Sequence, residues 1–228
     1  MPAYNEEKTI ERVLRKLCET LRKIDHEIIV IDDCSKDNTS NIVCKIRKEY
    51  SRIKLFKHNK NMGKGEAIRT GIKHIKGDFV IIQDADLEYD PRDILILLGY
   101  LKKNNLEVVY GSRMMNKKNK HSYISYFLGN IVLNKVTNLI YGSKITDMET
   151  CYKLISSRLI KSMDLQAKGF DFEPEVTAKI LKRGYKINEI PINYYPRNKQ
   201  EGKKIRWKDG VIALWTLVYW RFKKLNFS

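Results

Sequence analysis

Apolar and polar positions in the first half of the chain follow two periods that take turns. Between Glu7 and Ile24 the apolar residues Ile10, Val13, Leu14, Leu17 and Leu21 recur at helical spacing. A short β-branched run from Glu27 to Ile31 follows and ends at Asp32-Asp33. Asp37-Asn38-Thr39 offers capping side chains for a second helix to about Tyr50, Ile53 to Lys57 has strand character, and Gly65 to Ile75 is again helical. Phe79-Val80-Ile81-Ile82 is an apolar strand between Gly77-Asp78 and Asp84-Ala85-Asp86. Pro91 suits a first helical turn and opens a helix to Asn104, after which Val108-Val109-Tyr110 is a further strand. The second half is less regular. It predicts a helix around Ile124 to Tyr141, a loop through Asp147 to Cys151, a helix from Glu173 to Arg183 and a strand from Ile187 to Tyr194. A basic loop then runs to Arg206 and a last helix from about Trp207 to Phe222.

Strands separated by helices predict an α/β fold: a parallel sheet covered on both faces, with the ligand crevice at the carboxyl ends of its strands. In such a sheet a strand precedes the first helix. Met1 stands where that strand ends, so the strand is expected to be missing or a stub, through a misassigned start, a trimmed chain or a tolerated loss.

Composition narrows the partners. The 228 residues carry 44 Lys+Arg against 27 Asp+Glu, a formal charge of +17, and 43% are hydrophobic. That is enough apolar content for a core, and the charge implies an anionic partner: nucleic acid, acidic lipid or a phosphorylated small molecule. Cys18, Cys34, Cys44 and Cys151 form no C-x-x-C pair, which argues against a zinc ribbon, a redox dithiol or a disulfide framework. No stretch reaches the ~18 apolar residues of a membrane span, and the first residues lack a signal-peptide pattern. A soluble or peripheral protein of the cytoplasm is expected.

Three segments carry candidate chemistry. Gln83-Asp84-Ala85-Asp86-Leu87-Glu88 places three acids at alternate positions after an apolar strand, where their repulsion asks for a hard divalent cation; a solvated, helix-capping turn is the alternative. Ile31-Asp32-Asp33-Cys34-Ser35 also ends a strand in acids, which suit hydrogen bonds from a base or ribose or, more simply, a helix cap. Asn59 to Gly65 has glycines that permit close backbone approach and lysines suited to phosphate, without matching a Walker loop or G-x-G-x-x-G.

In this order, and with Pro2-Ala3-Tyr4-Asn5-Glu6, Asn61-Met62-Gly63-Lys64-Gly65 and Gly111-Ser112-Arg113, these segments resemble the family 2 glycosyltransferases. Asp147 to Lys153, Gly169 to Glu175 and Arg197 through Glu201 to Ile205 are similar to the dolichyl-phosphate mannose and glucose synthase branch. The resemblance implies a GT-A, Rossmann-like fold with a mostly parallel sheet. Residues 1–113 would form its nucleotide-sugar half and 114–206 its acceptor half, while 207–228, by its aromatic and basic ends, suits an amphipathic helix that docks at a membrane interface, packs on the core, or does both on opposite faces. It implies that Pro2, Tyr4, Glu6, Ile31 and Asp33 hold base and ribose, with Lys64 and Ala85 also at the donor. Asp84, Asp86 and Glu88 would hold Mg²⁺ or Mn²⁺; Arg113, Arg197 and Lys203 would face phosphates; and Asp86, Arg113 and Asp147 would be catalytic. Glu88 stands where glutamine is frequent, Cys34 and Asn38 replace glycines, and Lys153 replaces an arginine, turning a bidentate clamp into a point charge. Glu173 and Glu175 are expected at an exposed helix start, and no histidine as a ligand.

The implied reaction is inverting transfer of a hexosyl group from a nucleoside diphosphate sugar, GDP-mannose or UDP-glucose in type, to a polyprenyl phosphate at the cytosolic membrane face. A phosphate oxygen is already anionic and needs cations to position it, which Arg113, Lys117, Lys118, Lys120, Arg197, Lys203, Lys204 and Arg206 supply. A sugar hydroxyl acceptor would instead need a general base near Asp147. A noncatalytic basic module and a degenerate transferase remain as alternatives. Nucleic acid is disfavoured because the strand-end acids repel a phosphate backbone.

Overall fold

The structure, a computed structural model, describes residues 1–120, 124–197 and 207–224, with backbone alone at 124–126 and 207. Strands β1 (Pro2–Ala3), β2 (Ile28–Asp32) and β3 (Ile53–Lys57) form a parallel sheet in that order, with Pro2 opposite Ile31 and Ala3 opposite Asp32. The expected stub is therefore two residues of strand. Helices α1 (Ile10–Thr20), α2 (Thr39–Glu49) and α3 (Lys64–Lys73) make the connections. The predicted stripe of α1 is the one it buries, Ile10, Val13, Leu14 and Leu17, at about 1.5–3 kcal/mol for each large side chain removed from water.

A second sheet holds β4 (Phe79–Ile81), β5 (Val108–Ser112), β6 (Lys153–Ser156) and β7 (Asn188–Pro191) in the order β4-β6-β5-β7. β6 runs antiparallel to both its neighbours, whereas β5 and β7 are parallel. The sheet is thus parallel through β1–β3, as the alternation of the first half predicts, and mixed in its second part, where β6 with the short α6 (Ser157–Lys161) lies in a stretch with no predicted element. Its direction has a plain cause. The loop before β6 sits at the carboxyl edge, tied to Arg113 just beyond β5, so a strand leaving that loop must run back across the sheet.

Helix α4 (Arg92–Lys103) packs on β5, while α5 (Ile124–Tyr141), α7 (Phe172–Lys182) and α8 (Trp207–Phe222) pack together. A small apolar cluster including Leu133, Met148, Ala178 and Leu217 joins them. The last helix is present and packs with one face on the core, where Ala213, Leu217 and Trp220 are buried, while on the other Trp215 is 66% exposed and Phe222 81%. It is apolar on both faces. Among the described residues no helix is long and apolar enough to cross a membrane.

The expected exposed start of α7 is also overturned, since Glu173 and Glu175 are both buried. Glu175 accepts the backbone N–H groups of Gln166 and Ala167 and the Lys179 ammonium at 2.6 Å, while Glu173 meets Lys64 at 2.9 Å. Partners on both carboxylates offset the cost of burying them.

Candidate active site

The first wall of the crevice is built from short polar side chains that accept backbone N–H groups. Ser35 Oγ, Thr39 Oγ1 and Asp37 Oδ2 accept from Asn5, Glu6 and Glu7 at 3.0, 2.8 and 3.1 Å, and Asn5 and Glu7 answer by accepting from Lys36 and Asn38. This stitching holds the loop after β1 against the loop after β2. Cys34 has φ +63°, a left-handed conformation that favours glycine, whereas Asn38 at φ −81° does not need one. Asp33 accepts from the Met62 and Gly63 amides, both at 2.8 Å, and from His58 Nδ1 at 2.7 Å. It orders the loop before α3.

The glycines of that loop have a different task from the phosphate approach expected of them. A Cβ on Gly63 would lie 2.3 Å from the Lys168 carbonyl oxygen, and one on Gly65 2.7 Å from that of Ala167. The chain's own 167–168 backbone fills the space, and Lys168 O accepts the Glu66 amide. Lys64 projects inward instead, 3.0 Å from Asp84 and 2.9 Å from Glu173.

Acids and cations interleave across the crevice. Arg197 lies 2.7 Å from Asp86, 3.4 Å from Glu6 and 3.7 Å from Glu88. Burial, then the charges of Asp84 and Glu88, push the Asp86 carboxyl up to about 7, although Arg197 opposes them. Burial would also raise Asp84, but Lys64 outweighs it and holds that carboxyl below its ordinary value. Glu88 accepts the Tyr194 hydroxyl and the Arg197 amide, both at 2.9 Å, so it clasps segment 194–197. Of the expected trio of metal ligands, Glu88 is thus engaged with segment 194–197, and among the described residues no three acids, histidines or cysteines converge as a metal cage. Two hard carboxylates, one short of positive charge, still fit a Mg²⁺ or Mn²⁺ ion that takes its remaining ligands from water and a diphosphate.

Arg113 and Asp147 meet as a bidentate pair. Nε and Nη2 of Arg113 donate at 2.7 Å to the two Asp147 oxygens, and the Arg113 amide adds a bond of 2.8 Å. Asn130 donates to the same carboxylate at 3.0 Å. Asp147 is fully buried; burial alone would raise it, yet Arg113 holds it below the usual carboxylate range. It serves as the anchor of Arg113, which lies 5.1 Å from the Tyr194 ring, and has no capacity left as a base.

Pro2, Tyr4 and Glu6 lie half-buried on the first wall, beside Asp33. The Ile31 side chain is buried in the core, and Ala85 is buried with its carbonyl accepting from Thr9 Oγ1 at 2.9 Å. The Lys153 ammonium is buried, donates to the Met148 and Thr150 carbonyls and lies 4.6 Å from the Tyr110 ring. Burial lowers it to about 8. Lys117, Lys118 and Lys120 are exposed, and Lys203, Lys204 and Arg206 lie outside the described residues.

An asparagine ladder on α5 went unread in the sequence. Asn130, Asn134 and Asn138 bind, in turn, Asp147, Met148 with Thr146, and Ile145. Their spacing of four residues was the available signal.

A sequence profile described as Glycosyl transferase family 2 matches residues 1–163. The chain belongs to that family. Among its relatives, Dolichyl-phosphate beta-glucosyltransferase ALG5A of Trichomonas vaginalis is 31% identical over 95% of this glycosyltransferase and 69% of its own length. ALG5D of the same organism is 32% identical over 90% and 67%. These are relatives of the branch that the sequence resembles. Glucosyl-3-phosphoglycerate synthase from Mycobacterium tuberculosis, solved with Mn²⁺, uridine diphosphate and glucosyl-3-phosphoglycerate, superposes with a TM-score of 0.72. At 20% identity over 96% of this chain and 77% of that one, it shows the shared GT-A fold.

Proposed function

We propose that this transferase moves a glucosyl group from UDP-glucose to a polyprenyl phosphate at the cytosolic face of a membrane. The observation that carries the reading is the closed Arg113–Asp147 pair. The acid that would serve as base for a sugar hydroxyl has both oxygens held by Arg113, which lowers its affinity for a proton, while an acceptor phosphate needs no base. The names of the relatives favour glucose and a dolichyl phosphate acceptor. Leu128, Val132 and Leu139 on α5, with Val211, Trp215 and Phe222 on α8, are exposed and apolar on packed helices, which suits a lipid surface.

The acceptor oxygen attacks the anomeric carbon, the bond from that carbon to the diphosphate breaks, and the configuration inverts. Asp33 and the stitched loops at Tyr4 and Glu6 shape the nucleotide site. Arg113 positions the acceptor phosphate, and Arg197, released from Asp86, turns to the donor phosphates. Asp84 and Asp86 would hold Mg²⁺ or Mn²⁺, which when bound would supply charge stabilisation for the departing diphosphate.

The test is transfer of labelled glucose from UDP-glucose, and of mannose from GDP-mannose, into an organic-extractable product with dolichyl or undecaprenyl phosphate. Label from UDP-glucose that needs Mn²⁺, disappears with EDTA and is lost in Asp86→Ala is expected. Turnover only onto a water-soluble acceptor would overturn the lipid assignment, and turnover unchanged by EDTA would overturn the metal.

A further inference from the structure

One half-buried side chain touches both halves of the crevice. The Tyr194 hydroxyl donates to Glu88 Oε2 at 2.9 Å, on the donor side. Its ring meets the Arg113 guanidinium on the acceptor side, with Cζ 5.1 Å from the ring centroid. No step of the transfer itself requires a phenol at this place. The ring is wedged edge-on against Tyr89, centroid to centroid 5.4 Å, and Tyr89 packs in turn on Tyr152 at 4.7 Å. The backbone fixes the same spot: Tyr194 and Tyr89 form an antiparallel bridge, and Asn119 accepts the Tyr194 N–H at 3.0 Å while donating to the Arg113 and Ile192 carbonyls, both at 2.9 Å.

Arg113 is thereby held in two directions. Asp147 takes Nε and Nη2 in the plane of the guanidinium, and the Tyr194 ring sets the tilt of that plane through the attraction of a cation for a ring face. Nη1 lies in the same fixed plane, where an acceptor phosphate oxygen can meet it. The hydroxyl acts through Glu88. That residue accepts the Tyr195 N–H with its carbonyl at 2.8 Å and the Arg197 N–H with Oε1 at 2.9 Å, so Tyr194 to Arg197 hang on it by three bonds. Pro196 removes one backbone rotation within the segment, so a shift at Tyr194 is passed on to Arg197.

We propose that Tyr194 is a positioning residue that ties the acceptor side of the crevice to the donor side. Its ring holds Arg113 flat for the acceptor phosphate, and its hydroxyl, through Glu88, holds the segment that carries Arg197 to the donor phosphates. The tasks of the two arginines rest on the transfer proposed above; the link between them rests on these contacts alone.

Two substitutions separate the two ends of the side chain: Tyr194→Phe keeps the ring and removes the hydroxyl, and Tyr194→Leu removes both. In transfer to dolichyl phosphate, Tyr194→Leu is expected to raise the acceptor KM about fivefold or more over Tyr194→Phe, with kcat of the two within about twofold, as the loss of a half-buried cation–ring contact brings. Both substitutions are expected to weaken binding of UDP with Mn²⁺ about threefold or more in calorimetry. An acceptor KM equal in the two would overturn the part given to the ring, and unchanged UDP binding the part given to the hydroxyl. A wild-type chain that uses a water-soluble phosphate ester in place of dolichyl phosphate would overturn the lipid reading alone, and the same KM comparison then applies to that ester. One readout needs no turnover: urea unfolding of Arg113→Lys and Tyr194→Leu, singly and together. The joint shift in midpoint is expected to fall short of the sum of the single shifts, and additive shifts would overturn the link whatever the acceptor is.

Discussion

The two walls of the crevice are held by different physics. On the first, residues 4–7 and 32–39 are stitched by bonds from backbone N–H groups to short side chains, many of them turn chemistry that any solvated loop can use. On the second, residues 113 and 145–148 are held by a buried ion pair and an asparagine ladder from α5. Loss of one bond on the first wall leaves groups that water can reach. Loss of one partner on the second leaves a charge that water reaches only in part, so the second wall is the more brittle.

The largest expected effect tests that contrast directly. Asp147→Asn leaves the half-buried Arg113 guanidinium without its counter-charge and should cost about 3 kcal/mol in urea unfolding, the low end for a broken buried pair, with transfer activity lost. On the first wall, Asp33→Ala removes the acceptor for two loop amides and His58 and should cost about 2–3 kcal/mol by the same measurement. An equal or larger loss at Asp33 would reverse the ranking of the walls.

A smaller effect depends on pH. Glu149 has a buried oxygen without a hydrogen-bond partner, and burial followed by the charge of Glu173 pushes its carboxyl up to about 7. The folded chain therefore holds this proton more tightly than the unfolded chain. That contribution is full below the ordinary carboxyl value and is lost as pH climbs to about 7 and beyond. Glu149→Gln should raise unfolding stability by about 2 kcal/mol at pH 8 and leave it nearly unchanged at pH 4. No difference between the two pH values would show that the carboxylate finds a compensating partner.

Smallest is Cys34→Gly on the first wall, which relieves a left-handed φ of +63° and should stabilise by about 0.5–1 kcal/mol, read as a raised Tm. A loss of stability would mean that the Cys34 thiol contributes more than the backbone strain costs.

Much of the fold was legible before the structure. The stripe on α1, the strand at Ile53–Lys57, Pro91 before α4 and the long α5 all follow from period and punctuation. β6 escaped because Lys153-Leu154-Ile155-Ser156 is short and its last residue, Ser156, is already the N-cap of α6. In the site, the acids after β2 and β4 were found where a sheet's carboxyl edge puts them. Their partners were not, since Arg197 reaches Asp86 across 111 positions and Arg113 reaches Asp147 across 34.

The sequence by itself determined the order of helices and strands and the residue types at the strand ends, because periodicity, capping and turn chemistry act over a few neighbouring residues. Tertiary structure alone decided what each charged or small residue does. It turned Lys153 into a buried donor to carbonyls, Glu88 into a clasp for segment 194–197, and Gly63 and Gly65 into room for the 167–168 backbone. The reason is that a charge or an absent side chain has no fixed meaning of its own. Burial and the groups brought beside it from distant parts of the chain set its role, and those distances exist only once the sheets and helices have packed.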